Sequence, residues 1–245
     1  MIGYVFRRLG YLALVVLGMS VIVFGFVRVL PGDPAVMAAG GADATPETIA
    51  HARKELGLAE PLLVQYWIYV RNVFTGNFGR SLATRHPIGE DLRGFLPATI
   101  ELAAAAVCIS AILGIPLGIV AAVRADRWLD QLARSLSIFA SSMPVYWLGL
   151  VAVLVFYRFL GFLPAGGRLS FGVTPAPFVT GLYTVDGLLA GDLRLFGDAL
   201  RHLALPATVL SGISFGMIFN VTRASFLEVL KEPYINTARA KGLGE

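Results

Sequence analysis

Charge is what this sequence has least of. Asp, Glu, Lys and Arg make up 15% of it, against 56% hydrophobic residues, and the mean hydropathy is +0.72. A water-soluble domain carries about 25% charged residues, so the composition points to an integral membrane protein. Cysteine is nearly absent. The single Cys108 excludes an intramolecular disulfide, and inside its apolar run it reads as a small buried hydrophobe. Lysine occurs three times, as Lys54 after Arg53, Lys231 after Leu230 and Lys241 after Ala240. No Gly-Lys pair exists, so a phosphate-cradling P-loop is excluded. His51, His86 and His202 stand far apart, with no His-Glu-x-x-His or paired-cysteine pattern to hold a metal. The pI of about 9.4 comes from basic residues scattered among hydrophobic segments. They form no nucleic-acid stripe, and membrane orientation accounts for them better.

Four stretches have no charged residue and are long enough to cross a bilayer: Leu9–Val27, Leu102–Val123, Ser135–Tyr157 and Leu203–Thr222. Each must be helical, because only a helix satisfies its own backbone hydrogen bonds in lipid. Arg7 and Arg8 precede the first, as in a signal peptide. Its run exceeds a signal core and the nearest Ala-x-Ala, Ala42 and Ala44, lies far downstream, so it is expected to stay as a span. With the N-terminus cytoplasmic, residues 1–8, 124–134 and 223–245 lie inside and hold nine Lys/Arg in 42 residues. Segments 31–97 and 161–198 hold eight in 105. This asymmetry supports that orientation.

The long outer segment carries helix signals. Thr45 is a candidate N-cap, Pro46 suits a first helical position and Gly57 a stop. The stretch "PLLVQYWIYVRNVF" (61–74) follows, with Tyr66, Trp67, Tyr69 and Phe74 placed for the outer membrane interface. Within the spans, Gly114 and Gly118, and Gly212 and Gly216, have the four-residue spacing that lets helix backbones approach closely. Pro116, Pro144 and Pro206 put a helix-breaker in three of the four spans. The polar residues at depth are Ser110, Ser137, Ser141, Ser142, Ser211, Ser214 and Asn220. No Asp, Glu, Lys or Arg occupies the middle of a span, which counts against an ion-coupled carrier and for a weakly selective, neutral polar path.

The closing segment "EVLKEPYINTARAKGLGE" (228–245) is the most structured of the polar pieces. Pro233 interrupts the helix leaving the fourth span and can begin another at an angle. That helix is expected over Tyr234 to Lys241, stopped at Gly242, with Ala238 and Gly242 on one face and Arg239 and Lys241 nearby. It reads equally as a plug for a groove on another protein and as a solvated juxtamembrane helix.

"YINTARAKGL" (234–243) resembles the cytoplasmic loop of ABC importer permeases, where Glu-Ala-Ala-x-x-x-Gly forms a coupling helix docked on the ATPase. Here Asn236-Thr237-Ala238-x-x-x-Gly242 keeps the second Ala and the Gly without the Glu and the first Ala, a departure usual in the peptide branch. "LPGDP" (30–34), "ELGLAEPLLVQYW" (55–67), "GNFGRSL" (76–82), "LPATIELA" (96–103), "SMPVYWLGL" (142–150) and "LPATVL" (205–210) extend the likeness over most of the chain. Together they resemble the first permease subunit of bacterial dipeptide and oligopeptide importers, the peptide/nickel branch of binding-protein-dependent inner membrane components.

The resemblance implies an all-α integral membrane protein with four of six expected transmembrane helices, the sequence being a piece of a longer protein. It implies an N-terminal span (1–30), an extracytoplasmic segment with short helices (31–101) and a permease core (102–245) ending in the coupling helix. The subunit would be non-catalytic, without a cofactor of its own, ATP and Mg being held by partners. Those partners are a second homologous permease, two ABC ATPases and an extracytoplasmic substrate-binding protein. Tyr234, Ile235, Thr237, Ala238, Arg239 and Gly242 are the expected ATPase contacts. Ser141, Ser142 and Asn220 are candidates to line the path. A secondary transporter and a membrane scaffold remain alternatives from other classes, and nickel or glutathione uptake remains an alternative within ABC importers.

Overall fold

The structure is a computed structural model, which describes residues 2–29, 32–81, 84 and 86–242; of residues 2, 27, 42, 140, 141, 236, 238 and 239 it describes the backbone alone. Contacts divide the chain into two compact units, residues 1–93 and 94–245. Both are helical, with one isolated bridge between Arg80 and Pro87 in place of any strand among the described residues.

In the first unit, α1 (Ile2–Val29) is an apolar rod whose side chains almost all point away from the protein, as lipid-facing residues must. Asp33 caps α2 (Pro34–Ala39) by accepting from Ala35 N, and its second oxygen pairs with Arg53. Helix α3 (Pro46–Glu55) starts as expected: Thr45 accepts from Thr48 N and Pro46 takes the first turn, while Gly57 ends it at φ +60°. Helix α4 (Leu62–Phe74) packs on the end of α1. Ser20 Oγ and Tyr66 Oη share a 2.7 Å hydrogen bond, and Arg28 donates to Gln65 at 2.9 Å over the Phe24 ring. Phe24, Tyr66 and Tyr69 cluster there, while Trp67 and Phe74 face outward. The four aromatics therefore divide into a packing pair and an exposed pair, because i and i+3 share a helix face.

Helix α5 (Ile88–Val123) begins fourteen residues before the expected span and at about 54 Å is longer than a bilayer core is thick. The apolar stretch Ser135–Tyr157, expected as one span, is not one helix. It is divided between α6 (Trp128–Ser142) and α7 (Val145–Ala152), which continues as a π-helical turn over Val153–Phe159. Met143 lies between them at ψ 135°, the extended backbone that a following proline, here Pro144, favours in the residue before it. Pro97, Pro116 and Pro206 by contrast sit inside unbroken helices. Among the described residues, α1, α5 and α9 (Leu193–Val229) are long and apolar enough to cross a membrane, and Val145–Phe159 is a shorter apolar piece. Helix α8 (Tyr183–Leu189) precedes α9, and α10 (Pro233–Ala240) follows it.

Helix α9 is the axis of the second unit, with α6, α7 and α8 packed along it. Its contact with α5 depends on the absence of side chains. A Cβ on Gly118 would lie 2.9 Å from Thr222 Cβ and 3.0 Å from the Phe219 carbonyl, and one on Gly114 3.1 Å from Ile218 Cγ2. Ser110 adds a buried hydroxyl donated at 2.8 Å to Ser211 O. The Gly114/Gly118 pair thus works as its spacing suggested. Gly216 is buried, and Phe215 and Phe219 stack against Ala121, with Ala133 beside them. Cys108 is exposed rather than buried. It lies two residues from both Ala106 and Ser110, which face inward, so the 100° turn per residue carries it to the opposite face.

Candidate functional site

The end of α9 is built as a corner. The helix stops at Val229 and three residues, Leu230–Glu232, turn the chain: Lys231 N donates to Glu228 O at 3.1 Å and Glu232 N to Val229 O at 3.0 Å. Pro233 opens α10, where its missing N–H costs nothing. Thr237 Oγ1 donates back to Pro233 O at 2.9 Å and tightens the first turn. Tyr234 is 59% exposed, Thr237 is exposed and Ile235 half-buried. Gly242 lies past the helix at φ +76°, so it is a stop, as expected, and not a member of a helical face shared with Ala238. The side chains of Ala238 and Arg239 lie outside the described residues. An open cavity of about 570 Å³ fills the corner, lined from Arg223 to Pro233.

Two turns back along α9, the structure holds a pair that the sequence reading missed. Asp130 in the first turn of α6 is fully buried, and Arg223 of α9 grips it with both arms. Arg223 Nε donates to Asp130 Oδ1 at 2.7 Å and Nη2 to Oδ2 at 2.6 Å. Oδ2 also accepts from Asp126 N at 3.0 Å, in a turn where Asp126 takes the left-handed φ of +63°. The hydrogen bonds from Arg223 hold the Asp130 carboxyl below its ordinary value, outweighing the burial that raises it. Both residues sit just outside the apolar runs, and their separation of 93 positions left no local pattern to read.

Of the path candidates, Asn220 donates to Ser137 Oγ at 3.4 Å, a bond between α9 and α6 of the kind that also serves packing. Ser142 is exposed at the last residue of α6, beside the Met143–Pro144 break, and the side chain of Ser141 lies outside the described residues. The structure places Asn220 near the α6–α9 contact and leaves α10 as a separate group. Gly212-Ile213-Ser214-Phe215-Gly216 has the Gly-x-Ser-x-Gly spacing of a nucleophile elbow, which needs a strand-to-helix turn. It lies in the middle of α9, where no such turn exists.

At the other end of the second unit, acidic side chains pin the loop between the π-helical turn and α9. Glu101 of α5 accepts from Thr184 N at 2.7 Å and from Arg168 at 2.8 Å, and Arg168 lies 3.7 Å over the Tyr183 ring. Asp198 of α9 accepts from Ser170 N and Oγ, each at 2.6 Å. Asp186 is 2% exposed. Burial pushes its carboxyl up, but hydrogen bonds from Thr180 and Gly181 together outweigh this and leave it below the ordinary value. Each acid closes a loop whose partners the sequence alone does not pair.

Comparison with known proteins covers both units. Residues 1–103 match the family described as binding-protein-dependent transport system membrane component, N-terminal, and residues 114–245 the family described as binding-protein-dependent transport system inner membrane component. The chain is 46% identical over 239 residues to a protein of Escherichia coli K12 named probable D,D-dipeptide transport system permease protein DdpB, covering 97% of this chain and 69% of that one. It is 39% identical to the dipeptide transport system permease protein DppB of Alkalihalophilus pseudofirmus, covering 100% of this chain and 73% of that one. Against the di/tripeptide transport system permease protein DppB of Pseudomonas aeruginosa it is 38% identical, covering 99% and 72%. With both family models matched and these identities running from end to end, the chain belongs to the inner membrane components of binding-protein-dependent transport systems, multi-pass proteins of the cell membrane.

Proposed function

We infer that this chain is a permease subunit of an ATP-driven importer of short peptides, forming half of the path and linked to cytoplasmic ATPases through α10. The observation that carries the reading is the end-to-end likeness to permeases named for dipeptides, at 46%, 39% and 38% identity. The corner at Pro233 supports the mechanical part. A short helix with an exposed aromatic, set off from a long helix by a three-residue turn, suits a lever that a partner pushes.

In this reading the complex contains a second homologous permease, two ABC ATPases that hold ATP and Mg, and an extracytoplasmic binding protein that selects the peptide. Tyr234, Ile235, Thr237, Ala238 and Arg239 contact the ATPase, and Gly242 ends the contact. Ser141, Ser142 and Asn220 line the path. ATP-driven closure of the partners switches the pore between outward- and inward-open states as a rigid-body change. The chain performs no catalysis. A peptide backbone presents the same polar groups whatever its side chains, so a path without fixed charge suffices.

Affinity purification of the tagged full-length protein from gently solubilised native membranes tests the assembly. Recovery of a P-loop ATPase and a second permease supports it, and recovery of the protein alone, in a detergent that preserves such complexes, counts against it. Reconstitution of that complex with its binding protein then tests peptide uptake against ATP.

A further inference from the structure

Asp130 is a fully buried charge that neither the α10 contact nor the path uses. Burying an ion pair is seldom a net gain over packing apolar residues of similar size, so its presence calls for a use beyond filling space. Its place suggests one. Helix α9 runs unbroken from Leu193 to Val229 and passes through Leu230–Glu232 into α10, so a push on α10 reaches the last turns of α9 first. Helix α6 has no covalent link to α9 at that end; the chain between them runs through residues 143–192.

Beyond the apolar packing of α6 along α9, the polar tie at that end is built on the Asp130 carboxylate. Asp130 takes both Arg223 donors at 2.7 and 2.6 Å and the Asp126 N–H at 3.0 Å, tying together the turn after α5, the first turn of α6 and the last turns of α9. A planar guanidinium held at two points transmits displacement and rotation together, which an apolar contact able to slide does not. Two turns further along α6, Ser137 accepts from Asn220 as a second rung. Helix α6 then ends at the Met143–Pro144 break, where a rotation of α6 need not be passed on stiffly to α7.

We propose that the Asp130–Arg223 pair is the transmission link of the transport cycle. It makes the inner ends of α5, α6 and α9 follow α10 as one body and delivers the ATP-driven displacement to the break at Met143–Pro144. Both are positioning residues that touch neither peptide nor nucleotide. The proposal rests on the importer reading given above.

The test uses the complete complex in proteoliposomes with its binding protein, ATP and dipeptide, comparing wild type with Asp130→Asn, Arg223→Lys and the double variant. The reading is peptide taken up per ATP hydrolysed, normalised to assembled complex. The link predicts that this ratio falls at least about fivefold in each single variant, the lower end of ordinary coupling between sites. It also predicts that the double variant is no worse than the worse single, since the two residues act as one unit. A purely structural role would lower uptake and hydrolysis together at constant ratio; that result, a smaller fall, or failure of all three variants to assemble would overturn the assignment. A wild-type complex without ATP-dependent uptake would instead overturn the importer reading and take the link with it.

Discussion

Replacing Gly118 with alanine puts a methyl group 2.9 Å from Thr222 Cβ and 3.0 Å from the backbone oxygen of Phe219. Ordinary contact begins about half an ångström further out, and a carbonyl oxygen within α9 cannot turn aside as a side-chain end can. The two helices must therefore separate, which loosens the Ser110–Ser211 bond and the Phe219–Ala121 contact beside it. Overpacking of this kind costs about 1–3 kcal/mol, while exchanging glycine for alanine inside a helix returns up to about 1 kcal/mol. The net expectation for Gly118→Ala is a loss of about 0–2 kcal/mol, against a gain for an unobstructed site. Gly114→Ala meets Ile218 Cγ2 at 3.1 Å, a side chain able to shift, so its loss and gain nearly cancel. Gly94→Ala, with nothing within 4 Å, is the control and should stabilise slightly. Equilibrium unfolding of the full-length protein in mixed micelles orders the three variants. If Gly118→Ala proves as stable as Gly94→Ala, close backbone approach is not what holds α5 on α9.

Ser110→Ala removes a buried hydroxyl shared between Ala106 O and Ser211 O. The same unfolding assay should show a loss of about 0.6 kcal/mol, the usual value for a bond between membrane helices. Asp130→Ala leaves Arg223 with no acid on its grip and should cost about 3–5 kcal/mol, far more than the glycine variants, read as loss of folded protein on mild heating. The folded-state carboxyl of Asp186 is depressed, so its contribution is full above the unfolded value of about 3.9 and is lost only as pH falls through the lower folded one. Protease nicking of the 161–192 loop should therefore stay unchanged from pH 7 to about 5 and rise below about 4, whereas Asp186→Asn should be nicked readily at neutral pH. Gly242→Asp forces a side chain onto a backbone at φ +76° and should abolish peptide uptake while leaving membrane insertion at the wild-type level, as uptake and surface-labelling assays would report. Wild-type uptake by that variant would remove α10 and its stop from the coupling path.

Local signals in the sequence were enough for much of this protein. Uninterrupted apolar runs specify α1, α5 and α9, because lipid leaves a buried backbone no other way to satisfy its polar groups. Thr45, Pro46 and Gly57 bound α3, and Pro233 and Gly242 bound α10, because capping and proline geometry act within a few residues. The Gly114/Gly118 spacing announced a close helix contact but not its partner. Composition alone does not show the break at Met143–Pro144: the stretch is apolar throughout, and whether proline kinks a helix or ends it depends on what packs around it. Pro116 and Pro206 lie inside continuous helices and Pro144 does not. Cys108 faces outward for a related reason, since an apolar run does not tell its lipid side from its protein side. The charged fasteners were beyond sequence reading altogether. Asp130 meets Arg223 across 93 positions, Glu101 meets Thr184 across 83 and Ser170 meets Asp198 across 28. An ionisable residue near the end of an apolar run looks the same in sequence whether it faces water or a partner. Only the packing of α5 and α6 on α9 decides which acids are buried, and with them which helices are bound to move together.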